Sequence, residues 1–324
     1  MNIDKIAQPV KAELGQFEGA FSDLLHSQVP LVEYVVRYIA SHKGKRLRPL
    51  LVFLCAKLFG AVNQKTISAG LIVEMLHTAT LVHDDVVDES DMRRGSPTVN
   101  NMWNNKISVL VGDFIFSKTL SAMVGLSDLD ALAILSDTAE KITEGELLQI
   151  ERDQDFRMNE SVYFDLVSKK TASLFSAACE LGVLSVSSDP EKRNRLRDFG
   201  QALGIAFQIR DDLLDYTGDA SVLGKPTGSD IRENKVTLPL IFSLAAAKTG
   251  ARDHIIKLFE SGVRDEKEVR TVIDFVRELG GVDYSHQIAE KYAQRALGNL
   301  NGFSENGSAA SLRDLVHFAI HREN

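Results

Sequence analysis

An all-α protein is predicted by three features of the sequence. Apolar residues recur at three- and four-residue intervals, the signature of amphipathic helix. β-branched alternation is rare, and only 7 prolines occur in 324 residues. The breaks fall where turn-forming residues cluster: Gln28–Pro30, Gly44, Gly60–Asn63, Arg94–Pro97, Ser187–Pro190 and Gly218–Ser229. Between Met1 and Gln28 the spacing predicts one helix over 2–26. Pro30 then opens a helix over 30–41, and the stretch after Gly44 gives one over 47–60. The long apolar run after Asn63 predicts 64–88. Beyond Pro97 come helices over 104–125, 128–157 and 160–185, and Pro190 opens 190–216. The remainder reads as shorter helices over 236–247, 251–261, 265–278, 281–299 and 308–321. Ile107 to Met123 is apolar on more than one face, which places that helix centrally or in a subunit interface.

No Gly/Ser/Pro linker separates two halves, so a single domain over 1–324 is the simpler expectation. The 45 acidic and 37 basic residues give a net charge of −8, which argues against a general nucleic-acid binder. Cys55 and Cys179 each sit in an apolar run and read as core, not as a disulfide framework. Met1 to Gly15 lacks the basic-then-apolar pattern of a signal peptide. Apolar runs such as Leu238 to Ala247 fall short of the roughly 20 residues of a spanning helix. A soluble, cytoplasmic chain is the expectation.

One pattern occurs twice. Asp84-Asp85-Val86-Val87-Asp88 and Asp211-Asp212-Leu213-Leu214-Asp215 are both Asp-Asp-x-x-Asp, each closing a long apolar helix. Helical spacing puts His77, Asp84 and Asp88 on one face, and Gln208, Asp211, Asp212 and Asp215 on another. Three carboxylates in five residues repel, and a helix C-terminus is already negative. A solvated helix end would explain one such cluster, but Ala79-Thr80-Leu81-Val82 and Gly204-Ile205-Ala206-Phe207 before them are apolar. Hard divalent cations take oxygen ligands, and magnesium is commonly held by one or two carboxylates plus substrate phosphates. Two carboxylate faces opposed across a bundle would hold a diphosphate through magnesium. Cationic complements stand at Lys45, Arg46 and Arg48, at Arg93 and Arg94, at Lys169 and Lys170, and at Lys225 and Lys235. For Arg93-Arg94 the competing reading is local neutralisation of Asp88, Glu89 and Asp91.

These stretches resemble the trans-polyprenyl diphosphate synthases over nearly the whole chain, most of all the bacterial long-chain, octaprenyl type. The likeness runs through Gly44 to Pro49, His77 to Asp88, Arg93-Arg94-Gly95, Leu110 to Asp113, Lys170-Thr171, Phe207-Gln208, Asp211 to Asp215, Gly224-Lys225 and Lys235 to Pro239. It implies a large single-domain helical bundle with a central substrate cavity, working as a homodimer. Asp84, Asp88, Asp211 and Asp215 would ligate magnesium, three ions per site with substrate bound; Asp85 and Asp212 would support them. Arg93, Lys170, Thr171, Gln208, Lys225 and Lys235 would contact an allylic diphosphate such as farnesyl or geranylgeranyl diphosphate. Lys45, Arg48, His77 and Arg94 would bind isopentenyl diphosphate. Successive 1'-4 condensations would then build an all-trans chain for a quinone side chain, with transient membrane contact and no anchor. Two departures stand out: Ser41-His42-Lys43 where many members carry more glycine, and Arg210 just before the second cluster.

The growing chain is expected to run back along helix 64–88, past Ala79 and Thr80, about one 5.4 Å turn from Asp84. Short-chain members of the family carry an aromatic plug there. Its absence implies a product beyond twenty carbons, with octaprenyl favoured. Phe116, Leu120 and Met123 are candidate tunnel walls. A terpene cyclase would have a mixed second cluster and no Lys45–Arg48 pocket. An HD-type phosphohydrolase, suggested by His83-Asp84, would need further paired histidines, and the spacing of His26, His42, His254, His286, His317 and His321 offers none. A silent partner subunit would show eroded aspartates.

Overall fold

The computed structural model describes residues 2–93, 95–152, 156, 158–217, 228–263 and 265–321. Its contacts cluster into two compact units, Met1–Ala139 with Leu174–Gly200 and Asn299–Leu315, and Glu140–Ser173 with Gln201–Gly298 and Val316–Asn324. The chain passes from one to the other inside helices, which is why no linker marks the division.

The first stretch is not one helix. Pro9 cannot donate a backbone hydrogen bond, and the chain forms α1 (Ile3–Ile6), a 3₁₀ turn (Gln8–Val10) and α2 (Lys11–Leu24). α3 (Pro30–Ser41) begins on its proline, whose fixed φ suits the first helical position. α4 (Leu47–Lys57) is buried from Pro49 to Ala56 and forms the middle of the first unit, with Phe17, Phe21 and Phe53 fully enclosed.

α5 (Gln64–Val87) starts on a capping box: Asn63 accepts from the Thr66 amide, and Thr66 accepts from the Asn63 amide. Asn63 also donates to the Ser185 carbonyl at 2.8 Å, so this end of α5 is anchored. A two-residue ribbon, β1 (Met92–Arg93) and β2 (Ser96–Pro97), follows, with Arg93 opposite Ser96 and Gly95 in the left-handed region at φ 75°. After α6 (Val99–Met102) comes α7 (Asn105–Gly125).

α7 packs on α5 through Val111, Ile115, Thr119 and Met123, while Val109, Leu110, Phe116, Leu120 and Val124 are exposed. The sequence expectation of a helix apolar all round therefore holds, but among the described residues only one face is covered. By length and composition alone α7 is also apolar enough to cross a membrane.

α8 (Leu129–Arg152) is followed in the second unit by α9 (Glu160–Val167) and a π-helical turn over Ser168–Ala172; α10 (Ser173–Leu184) continues the chain. The periodicity predicts an unbroken helix over 160–185, so this widened turn is a correction. α11 (Pro190–Thr217) carries the second acidic cluster, and α12 (Ser229–Arg232) begins after Gly228 at φ 79°. The second unit is completed by α13 (Leu238–Ala246), α14 (Thr249–Glu260), α15 (Glu266–Glu278) and α16 (Gly281–Asn299). α17 (Gly307–His321) ends the described chain. Tyr216 and Phe259 are fully buried there.

Candidate active site

In the first unit the acidic cluster sits on the last turn of α5, with Asp88 as its C-cap. Asp84 and Asp88 are half-buried and one turn apart; Asp85 points inward and is 4% exposed. Arg93 Nε donates to Asp85 Oδ1 at 2.6 Å, and the ribbon that carries Arg93 leads back against the helix end. The competing reading of the sequence names Asp88, Glu89 and Asp91 as the acids neutralised; the acid that Arg93 meets is Asp85. Arg94 lies outside the described residues, as does Lys225.

His77 is half-buried on α5, and Thr80 donates to its carbonyl at 2.9 Å. Lys45 is exposed just before α4, and the Arg48 guanidinium lies 5.0 Å from the Phe175 ring centre. The loop that departs from the glycine-rich pattern is tied down: His42 Nδ1 is 2.8 Å from the Tyr38 carbonyl, and Lys43 pairs with Glu18 at 2.9 Å. Ala79 is buried and Thr80 half-buried. Of the three candidate wall residues on α7, only Met123 is buried. Phe116 and Leu120 are 37% and 46% exposed, outside the buried face of α7 that Val111, Ile115 and Met123 form.

His83, which suggested a phosphohydrolase, packs against Gly112 and reaches the Val109 carbonyl at 3.2 Å. His317 and His321 do pair, contrary to the spacing argument: their rings stack 6.5 Å apart one turn along α17. Among the described residues, however, no three His, Cys, Asp or Glu side chains converge on a possible metal position.

In the second unit a cleft of about 190 Å³ is lined by Gln149, Tyr163, Lys170, Thr171, Gln208, Asp212 and Lys235, among others. Lys170 and Thr171 reach it from the π turn. Lys170 Nζ donates to Glu146 Oε2 at 2.6 Å and to Gln149 Oε1 at 2.8 Å. Thr171 donates to Gln208 Oε1 at 2.8 Å, Gln208 Nε2 donates to Asp212 Oδ1 at 2.9 Å, and Tyr163 donates to Asp212 Oδ2 at 2.5 Å. Burial pushes the Asp212 carboxyl up to about 7; the Tyr163 and Gln208 hydrogen bonds pull it down, and the charges of Asp211 and Asp215 raise it further. Burial and the same carboxylate hold the Tyr163 phenol well above its ordinary range.

The second cluster thus divides by environment. Asp211 is half-buried on the helix surface. Asp215, expected among the metal ligands, is 1% exposed, and its oxygens accept from the Ser229 amide, the Ser229 hydroxyl and the Asp230 amide at 2.9 to 3.1 Å. Asp215 therefore fastens the start of α12 to α11. Lys235 pairs with Glu233 at 2.7 Å. Arg210 is half-buried, and after burial its charge is the chief cause holding the His286 imidazole below its ordinary pKa. Sequence reasoning missed Tyr163, Glu146 and Gln149, since nothing in their local pattern separates them from ordinary helix residues.

An all-α chain with two aspartate-rich helix segments and a polar cleft rich in lysine, amide and hydroxyl donors is the arrangement expected of an enzyme acting on a phosphorylated substrate. The family model described as polyprenyl synthetase matches residues 29–276. Octaprenyl diphosphate synthase of Escherichia coli (strain K12) is 36% identical over 323 residues, covering 100% of both chains. The all-trans-nonaprenyl-diphosphate synthase (geranyl-diphosphate specific) of Rhodobacter capsulatus is 39% identical over 318 residues, covering 98% of this chain and 97% of that protein. The crystal structure of polyprenyl synthase from Caulobacter crescentus CB15, complexed with calcium and isoprenyl diphosphate, has a TM-score of 0.95 at 36% identity. It covers 100% of this chain and 98% of that one. The chain belongs to the polyprenyl synthetase family and is a prenyltransferase.

Proposed function

We propose that the chain elongates an allylic diphosphate by successive 1'-4 condensations with isopentenyl diphosphate, giving a long all-trans polyprenyl diphosphate. The observation that carries this reading is the half-exposed Asp84–Asp88 pair at the end of α5, in a chain alike over its full length to octaprenyl diphosphate synthase. Farnesyl or geranylgeranyl diphosphate is the proposed primer, octaprenyl diphosphate the favoured product, and a quinone side chain its use.

The residues fit magnesium. Asp84, Asp88 and Asp211 are hard oxygen donors that are half-buried, whereas Asp85, Asp212 and Asp215 are buried and accept from protein donors. That split suits an ion that takes few protein carboxylates and completes its shell with water and phosphate oxygens. When bound, magnesium acts as a Lewis acid on the leaving diphosphate. Three ions per site is the proposed count.

The protein's own part is binding and electrostatics. Lys170, Thr171 and Gln208 present an ammonium, a hydroxyl and an amide to the allylic diphosphate, with Arg93, Lys225 and Lys235 adding positive charge. Charge grows on that diphosphate as its C–O bond breaks, so donors already oriented by Glu146, Gln149 and Asp212 need little rearrangement. Lys45, Arg48, His77 and Arg94 hold isopentenyl diphosphate so that its alkene attacks the carbon released. The proton then lost passes to the departing diphosphate. The open apolar face of α7 supports a homodimer, and the cytoplasm is the proposed location, with transient membrane contact for product release.

Incubation of the purified protein with farnesyl diphosphate, isopentenyl diphosphate and magnesium tests the proposal. Elongated diphosphates on chromatography are expected. Cyclised hydrocarbon, phosphate release without coupling, or no turnover would reject it.

A further inference from the structure

Arg46 stands between Lys45 and Arg48 but has no place in either diphosphate site. Its backbone is left-handed, φ 50° and ψ 37°, at the N-cap of α4. A residue with a Cβ rarely adopts that conformation, and it persists where the surroundings impose it. Here they do. Arg46 Nη1 lies 2.6 Å from Glu74 Oε1 and Nε 3.1 Å from Glu18 Oε1. The side chains of Arg46 and Glu74 are only 12% and 7% exposed. The guanidinium carbon sits 4.5 Å from the Phe21 ring centre and 5.7 Å from that of Phe17.

The partners matter as much as the contacts. Glu74 is on α5, three residues before His77, and so one turn from it on neighbouring faces. Glu18 is on α2 and also holds Lys43 at 2.9 Å. Hydrogen bonds and charge from Lys43 and Arg46 outweigh the burial of Glu18 and keep its carboxyl below the ordinary value. One side chain thus braces the Lys45 loop and the first turn of α4, which carries Arg48, against the helix carrying His77. Buried ion pairs are poor stabilisers compared with apolar packing of the same volume. Keeping one here, on a strained backbone, is explained by geometry.

We propose that Arg46 is a positioning residue: through Glu74 it holds Lys45 and Arg48 in register with His77, and so sets the affinity for isopentenyl diphosphate. This rests on the assignment of those three residues to that substrate. Two variants test it. Arg46→Lys keeps the charge but loses the planar fork that spans both glutamates. Arg46→Met with Glu74→Met removes the brace without leaving a buried charge unpaired.

Steady-state kinetics are read for both substrates, with Lys45→Ala alongside and folding checked by circular dichroism. The expected result is a rise of about tenfold in KM for isopentenyl diphosphate in both brace variants, the loss of roughly one charge-assisted contact. KM for the allylic diphosphate stays within about twofold of the parent. An unchanged KM for isopentenyl diphosphate in either folded variant, or equal rises for both substrates, overturns the brace. If Lys45→Ala raises that KM while the brace variants do not, only the brace falls; if Lys45→Ala has no effect, the underlying assignment falls with it.

Discussion

The phenol of Tyr163 donates to Asp212 Oδ2 at 2.5 Å while Gln208 donates to the other oxygen, so a buried carboxylate at the cleft holds a donor on each oxygen. Two links further on, Gln208 receives Thr171. A residue of α9 is therefore linked through Asp212 and Gln208 to a hydroxyl proposed to meet the allylic diphosphate.

Tyr163→Phe removes that donor and leaves Asp212 Oδ2 buried without it, at a cost of about 1–3 kcal/mol. The melting temperature is expected to fall by a few degrees. KM for the allylic diphosphate should rise about three- to tenfold as the chain of hydrogen bonds loosens. Calorimetry and steady-state kinetics check the two effects separately. A lowered melting temperature with unchanged KM would mean that Tyr163 serves the fold alone.

Gly145 on α8 faces the π turn. A Cβ there would stand 2.7 Å from the Lys170 backbone nitrogen and 2.9 Å from its Cα, and backbone cannot swing aside. Gly145→Ala should cost about 1–3 kcal/mol by overpacking and displace Lys170 from Glu146 and Gln149. Gly15→Ala is the control, since nothing lies within 4 Å of a Cβ at that helical site. Thermal melts are expected to drop for the first substitution and hold or rise slightly for the second.

Glu180 is 6% exposed, with Oε1 3.1 Å from Arg193 Nε. Burial raises its carboxyl above the ordinary value of 4.5, and the charges of Arg193 and Arg197 only partly offset this. With the folded pKa above the unfolded one, the folded state binds more protons between the two values. The stability Glu180 contributes is thus full below about pH 4.5 and lost as pH rises through the folded value. Glu180→Gln should flatten that decline, raising the melting temperature at pH 7.5 relative to the parent more than at pH 4.5. Arg193 keeps Asp130 at 2.8 Å as a partner. Identical pH profiles for parent and variant would contradict this.

Ala79 is 1% exposed on α5, five residues before Asp84. Ala79→Tyr should shorten the product, as read by chromatography of the diphosphates after dephosphorylation, while leaving the first condensation intact. The ring must be accommodated at an overpacking cost of about 1–3 kcal/mol, so a folded protein with unchanged product length would remove Ala79 from the tunnel wall.

Much of the architecture was legible because apolar periodicity is a local signal. The reading 30–41 coincides with Pro30–Ser41, and 64–88 lies within one residue of Gln64–Val87, where Asn63 and Thr66 supply the cap. What escaped depends on contacts across the fold or on subtle backbone shifts. The π turn at Ser168–Ala172 keeps a helical pattern of side chains and differs by a single inserted residue. Pro9 breaks the first helix although the apolar spacing runs through it. Both aspartate triads could be picked out from their spacing, but not their inner division. That Asp215 would turn inward to Ser229 and Asp230, and Asp211 stay at the surface, follows from where α12 packs. Arg46 looked like one more cation in a basic run, because its partners Glu18 and Glu74 are each 28 residues away.

Because Ala79 and Asp84 share α5, and Asn63 pins the distant end of that helix, the proposed gauge and the proposed seat of the chemistry are mounted on one shaft. Successive positions along it are rotated by about 100°, so on this proposal only every third or fourth position would meet the growing hydrocarbon. Product size would then be free to drift by single exchanges at those positions, with the chemistry at the tip left as it was.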